Sequence, residues 1–269
     1  MVKENTVSRV AFTGNTKLTY KCIKAVAEFL EVSAVFGLSQ EQCKHKTSYF
    51  NLDEYCASKN IRLFKTGLTE SGESTPYTRS VDWNNFKKFC KDNLVDIIIS
   101  IGESRIVPKS ITSSFYVIGN HGAVLPYVQG GASLVWGRML NSGSWGISIM
   151  KIDERIDSGD ILKVKTFNYD QDCTEFDFVE TCDNLTVKAL VEVLKGDMDK
   201  KPNNRWNVKI NKHTDSYKAI NLLKHSLDNN LNIYMPPRTP DDSVIKSHWP
   251  KKFIDVFKIA QNKPYPKWI

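Results

Sequence analysis

The chain has 269 residues, 41% of them hydrophobic and 25% charged, with a formal net charge of +7. That length and composition fit one large globular domain, or a domain with an appendage, and exclude a low-complexity or fibrous chain. No apolar run reaches the ~18 residues of a membrane span, and the N-terminal stretch MVKENTVSR lacks the apolar core of a signal peptide.

In chain order, residues 9–14 are an apolar run closed by Gly-Asn and are expected to form the first strand. Over 19–30, Tyr20, Ile23, Ala27 and Leu30 recur at helical spacing. Residues 32–38 read as a buried second strand, 51–59 as a short helix and 61–64 as a third strand. The segment 66–79 is polar and bears Gly, Ser and Pro, as a loop bordering a ligand would. A helix over 81–93, with Trp83, Phe86 and Cys90 on one face, leads into the most apolar strand, 96–101. Strands and helices alternating at these lengths predict an α/β fold: a Rossmann-like wound, mostly parallel sheet with helices on both faces.

Gly102-Glu-Ser-Arg-Ile-Val-Pro108 follows directly, where wound sheets bind ligands outside the carboxyl ends of their strands. The next apolar run ends at Gly119, and the polar pair Asn120-His121 marks the expected end of that strand. A loop punctuated by Gly and Pro, a short helix over 132–140 and a strand over 146–153 come next. The turn after them carries Asp153, Glu154, Asp157 and Asp160. An imidazole and an amide at one strand end, with carboxylates at another, suit carbonyl transfer: one group moves protons and one holds an oxyanion. Trp136 and Trp145 are expected in the core.

A strand over 160–167 and a long helix over 174–194 follow, the helix starting at a near capping box of Thr174 and Asp177. After Gly196, Asn, Lys and Pro dominate up to Asn211, so a boundary is expected there, with 197–269 a linker and small C-terminal region carrying helices near 215–227 and 252–261. The six cysteines (Cys22, Cys43, Cys56, Cys90, Cys173, Cys182) are dispersed with no Cys-x-x-Cys. They read as free thiols in a reducing compartment, which sets a cytoplasmic expectation, and no metal site is expected. Lys-rich stretches at 195–212 and 246–267 read as a solvated surface, with attraction of an anionic substrate the alternative.

The segment 117–162 resembles the formyltransferase family, whose members move a formyl group from 10-formyltetrahydrofolate to an amine. The resemblance lies in His121-Gly-Ala-Val-Leu125-Pro126, Gly130-Gly131-Ala132, Gly146-Ile-Ser-Ile and Ile156-Asp157-Ser158-Gly159-Asp160, with His121 and Asp157 separated by 36 positions. It extends to Arg238-Thr-Pro-Asp-Asp and to the Pro-Tyr-Pro turn near the C-terminus. It implies catalytic roles for Asn120, His121 and Asp157, with residues 1–196 as the catalytic domain. His121 would move protons or hydrogen-bond the oxyanion, and Asp157 would pair with it. His45, His213, His225 and His248 sit in polar surroundings and read as surface residues. The family places the pterin against the backbone of a segment that Arg105-Ile106-Val107 resembles, and Ile152, Asp153 and Glu154 would shape the facing loop. In most of the family the Asn lies two residues before the His; here Gly119 holds that position. Asn120 joins His121 only if the backbone bends at Gly119, since strand neighbours point to opposite faces; otherwise another donor replaces the amide.

The layout is closest to that of sugar-nucleotide N-formyltransferases, and a nucleotide-linked amino sugar is the expected acceptor. A methionyl-tRNA formyltransferase-like enzyme and an inactive folate- or nucleotide-binding module are the alternatives. Folate and a small-molecule nucleotide sugar are thus the expected partners, with no membrane, no nucleic acid and a possible homodimer.

Overall fold

The computed structural model describes residues 7–38, 48–65, 80–103 and 105–262. The expected loop 66–79, Cys43, His45 and the Pro-Tyr-Pro turn lie outside those residues. The chain divides into two compact units, residues 1–120 with 151–154 and 194–196, and residues 121–150 with 155–193 and 197–269.

Among its described residues unit 1 holds five parallel strands in the order β3-β2-β1-β4-β5: β1 Arg9–Thr13, β2 Glu31–Gly37, β3 Arg62–Lys65, β4 Ile97–Ser100 and β5 Tyr116–His121, which ends at the unit's edge. Residues 10–13 of β1 are fully buried, as a strand covered on both faces must be. Among the described residues the helices of this unit are α1 Lys17–Val26, α2 Asp53–Ser58, α3 Ser80–Asp92 and α4 Lys109–Thr112. Trp83, Phe86 and Cys90 of α3 pack with Phe36, Ile98 and Val117 in one apolar cluster, as their spacing predicted. Helix α1 is shorter than expected. It stops at Val26, buries Thr19, Cys22, Ile23 and Val26, and leaves Ala27 exposed as its C-cap. Helix α4, inserted after Pro108, was not anticipated.

Unit 2 contains the antiparallel hairpin β7 Ser144–Lys151 and β8 Ile161–Asn168. It also has a three-stranded parallel sheet, β6 Val128–Gly130, β10 Ile233–Met235 and β9 Val208–Lys209. Its helices are α5 Ser133–Leu140, α6 Glu175–Leu194, α7 Ser216–Asp228 and α8 Lys251–Ala260. Trp136 and Trp145 are buried core residues. At the start of α6, the Asp177 N–H donates to Thr174 Oγ1 at 3.1 Å, so the cap signal in the sequence is realised. The Arg238-Thr-Pro-Asp-Asp run forms a 3-10 turn, Pro240–Ser243, with a Thr239–Asp242 capping box. Arg238 donates to Asp242 O at 2.6 Å and to Ser216 Oγ at 3.1 Å, and burial lowers its pKa to about 10.

Residues 197–269 therefore share a compact unit with 121–150 and 155–193, and the division does not fall at the composition change near 196. The Trp136 indole N–H donates to Pro236 O at 2.9 Å, one of the bonds joining α5 to the later chain. Cys22, Cys56, Cys90 and Cys182 are buried; burial raises the thiol of Cys56 to about 11 and that of Cys90 to about 12.

Candidate active site

His121 and Asp157, 36 positions apart in the chain, meet in unit 2: His121 Nδ1 lies 3.5 Å from Asp157 Oδ2. The imidazole is 6% exposed, and its Nε2 lies 2.9 Å from Val128 O. A carbonyl oxygen can only accept, so Nε2 carries a hydrogen. Nδ1 is then the ring nitrogen whose protonation can change, and it faces the carboxylate. At 3.5 Å the contact is longer than a good N–H···O bond, and such pairs tighten in reacting complexes.

Asp157 sits at φ +50°, in the left-handed region, and its Oδ2 accepts the Gly130 N–H at 2.8 Å. Its own carbonyl accepts from Asn203 Nδ2 at 2.8 Å. Gly130 itself has φ +99°, and a Cβ there would stand 2.0 Å from Met235 O, so no side chain fits against β10. Tyr234 of β10 has a hydroxyl pushed above its ordinary pKa by burial and, second, by the charge of Asp157.

The bend expected at Gly119 is not found. Strand β5 runs through both Asn120 and His121, and Gly119 is not among the glycines with positive φ. Consecutive strand residues project to opposite faces, so Asn120 does not join His121 as an oxyanion donor by the route the sequence suggested. Gly119 has a different reason to be small: a Cβ would lie 2.7 Å from Ile152 Cδ1 and 2.9 Å from Ser100 O.

The residues expected to serve the pterin lie in unit 1. Arg105 does not present its side chain. It is buried, ion-paired with the equally buried Glu103 at 2.6 Å, and its guanidinium carbon lies 4.2 Å from the centre of the Phe36 ring. Ile106 is 68% exposed and Val107 is core. The Ile152 N–H donates to Val117 O at 2.8 Å, and Glu154 pairs with Lys109 at 2.8 Å. Asp153 is half-buried beside them in the chain. His213, His225 and His248 are exposed, as expected. Among the described residues no cluster of three or more His, Cys, Asp or Glu could hold a metal. A cavity of about 870 Å³ in unit 2 is lined by Tyr127, Trp145, Tyr217, Lys224 and Phe253, and neither His121 nor Asp157 is among its walls.

Sequence reasoning missed Gln129 and Asn203. The Gln129 Nε2 donates to Asn203 Oδ1 at 3.1 Å and to Asn204 O at 2.8 Å. Nothing in a three-residue strand or an Asn-rich connector marks such a pair beforehand.

A wound parallel sheet in one unit and a His–Asp pair in the other mark an α/β protein with a proton-handling pair. The Formyl transferase family model matches residues 43–194, more than half of the chain, and the chain belongs to that family. A methionyl-tRNA formyltransferase of Rickettsia massiliae is 27% identical over 188 residues, 69% of this chain and 59% of the relative. The chain spans between 32% and 59% of the length of the first three curated relatives it matches. Among solved structures, the sugar 3N-formyl transferase WlaRD, crystallised with dTDP and 5-N-formyl-THF, superposes with a TM-score of 0.58. It is 14% identical, over 94% of this chain and 79% of that one. The methionyl-tRNA formyltransferase from Clostridium thermocellum gives a TM-score of 0.56 at 16% identity, over 96% of this chain and 86% of that one. At those identities the two structures share the fold alone.

Proposed function

We propose that this chain transfers a formyl group from 10-formyltetrahydrofolate to a primary amine, and that the acceptor is a nucleotide-linked amino sugar. The observation that carries the reaction is the pairing of buried His121 with Asp157 in a chain of this family. Bound 10-formyltetrahydrofolate supplies the activated formyl carbon. His121 handles the proton that the attacking amine must lose, through Nδ1, because Nε2 is committed to Val128 O. Asp157 orients the ring and stabilises the imidazolium that forms. For the pterin, the backbone of Arg105, Ile106 and Val107 and the segment Ile152, Asp153 and Glu154 are the assigned partners. An exposed Ile106 above a buried Val107, just past a parallel strand, suits a flat ring.

A sugar acceptor is the first reading, and WlaRD, a sugar 3N-formyl transferase, shares the fold over 94% of the chain. A methionyl-tRNA acceptor is the second reading, favoured by the names of the sequence relatives. One experiment separates them: tetrahydrofolate release from 10-formyltetrahydrofolate, assayed with a panel of amino-sugar nucleotides and with charged initiator tRNA. Formylation of a sugar nucleotide, with tRNA left unmodified, is the expected result. Efficient tRNA formylation that falls steeply with salt, as phosphate contacts dictate, would replace the sugar by tRNA. No release with any amine would overturn the transfer reading.

A further inference from the structure

The three residues of β6 each serve the catalytic pair. Val128 offers its carbonyl to His121 Nε2 at 2.9 Å, and Gly130 gives its N–H to Asp157 Oδ2 at 2.8 Å. Gln129, between them, is 1% exposed and turns its amide to Asn203. Both amide directions follow from chemistry. Asn203 Oδ1 accepts from Gln129, so its NH₂ points the other way and donates to the carbonyl of Asp157 at 2.8 Å. Gln129 donates twice, to Asn203 and to Asn204 O, while its buried Oε1 has no hydrogen-bond partner. A buried acceptor left unpaired is a cost to folding, so a Gln at this place is explained by what it donates to. At the end of the chain of bonds stands a non-glycine residue at φ +50°, a conformation that needs neighbours to hold it.

We infer that Gln129 and Asn203 form a two-amide relay that fixes the turn at Asp157 and so aims its carboxylate at His121 Nδ1. The two are positioning residues, and the inference rests on the formyl-transfer reading above for its kinetic consequence. The relay fixes direction, and directional errors near 1 Å lower turnover by about a hundredfold.

The test compares Asn203→Ala with the isosteric Asn203→Asp in the full chain. The aspartate keeps the volume and still accepts from Gln129, but it presents an oxygen to the Asp157 carbonyl. Both variants are expected to lower kcat about tenfold to a hundredfold with KM for 10-formyltetrahydrofolate unchanged. Neither should add a further loss in an Asp157→Asn background. On the free protein, the ¹⁵N resonance of His121 Nδ1, assigned with His121→Asn, should move in both variants while that of Nε2 stays in place. A wild-type kcat and an unmoved Nδ1 resonance in Asn203→Asp would overturn the relay. So would an Asn203→Ala loss that is equally large with Asp157→Asn. If no acceptor is formylated at all, the functional reading fails, and the resonance alone decides the relay: movement of Nδ1 supports it and a static Nδ1 refutes it.

Discussion

Replacing Glu175 by Gln is expected to flatten the pH dependence of folding. Glu175 is 2% exposed, in the first turn of α6. Its basic neighbour is Arg138, whose Nε is 3.9 Å from Oε2, too far for a hydrogen bond. The rest of that guanidinium is spent elsewhere: Nη1 donates to Asn141 Oδ1 at 2.6 Å, and Nη2 donates to the carbonyls of Gln171 at 3.0 Å and Cys173 at 2.7 Å. Burial outweighs the pull of Arg138 and pushes the carboxyl from 4.5 up to about 9. Between those two values the folded chain holds a proton that the unfolded chain has released, so raising the pH favours unfolding. The stability is complete below the unfolded value and is lost as pH rises toward the folded one. The slope is ~1.4 kcal/mol per pH unit, so the loss from about pH 5 to about pH 8 comes to ~4 kcal/mol. Gln has no proton to lose. Urea unfolding of both proteins, followed by tryptophan fluorescence at several pH values, should give curves that diverge by that amount in favour of the variant at the alkaline end. Parallel curves would mean that Glu175 is ionised in the native state and truly paired with Arg138, and the reasoning would fail.

His121→Ala is expected to lower kcat by about a hundredfold or more while tetrahydrofolate binding persists, which steady-state kinetics and calorimetry would check. Asn120→Ala should leave turnover far above the ~10²–10³ loss that follows removal of an oxyanion donor, because Asn120 leaves β5 on the other face from His121. Gly119→Ala should lower stability by ~1–3 kcal/mol in urea titrations, since the new methyl meets Ile152 and Ser100 O. Adding Ile152→Val should recover only part of that, because the Ser100 contact is backbone.

What the sequence discloses follows from how each feature leaves a mark. Helix α3 and the two long segments that became α6 and α8 carry apolar residues at helical spacing, and the structure has all three. The end of α1 was misplaced because Ala27 and Leu30 prolong an apolar rhythm that the backbone has already abandoned at Val26. Strands β6, β9 and β10 have two or three residues each, too few for any period to register. The resemblance to the formyltransferase family implied that His121 and Asp157 share a site, and they lie together in unit 2. Polarity at Asn120-His121 suggested a strand end, and β5 does end at His121; what polarity could not show is that the backbone stays extended through the pair instead of bending at Gly119. Arg105 read as a candidate through a resemblance that concerns its backbone, and nothing in the sequence revealed that Glu103 would take up its charge.

The parallel pairing of β6 with β10 bears on any attempt to build hybrids in this family. Met235 O accepts the Gly131 N–H at 3.0 Å, and Asn203 reaches the Asp157 turn. A swap at the compositional break near 196 would thus import a foreign neighbour for the strand that frames the histidine. A donor C-terminal segment chosen to change the acceptor would also reset the geometry of proton transfer, unless it preserved an amide at 203 and the backbone of 233–235. Crossover points for such chimeras belong outside this unit, where a new acceptor preference can be read without a confounded rate.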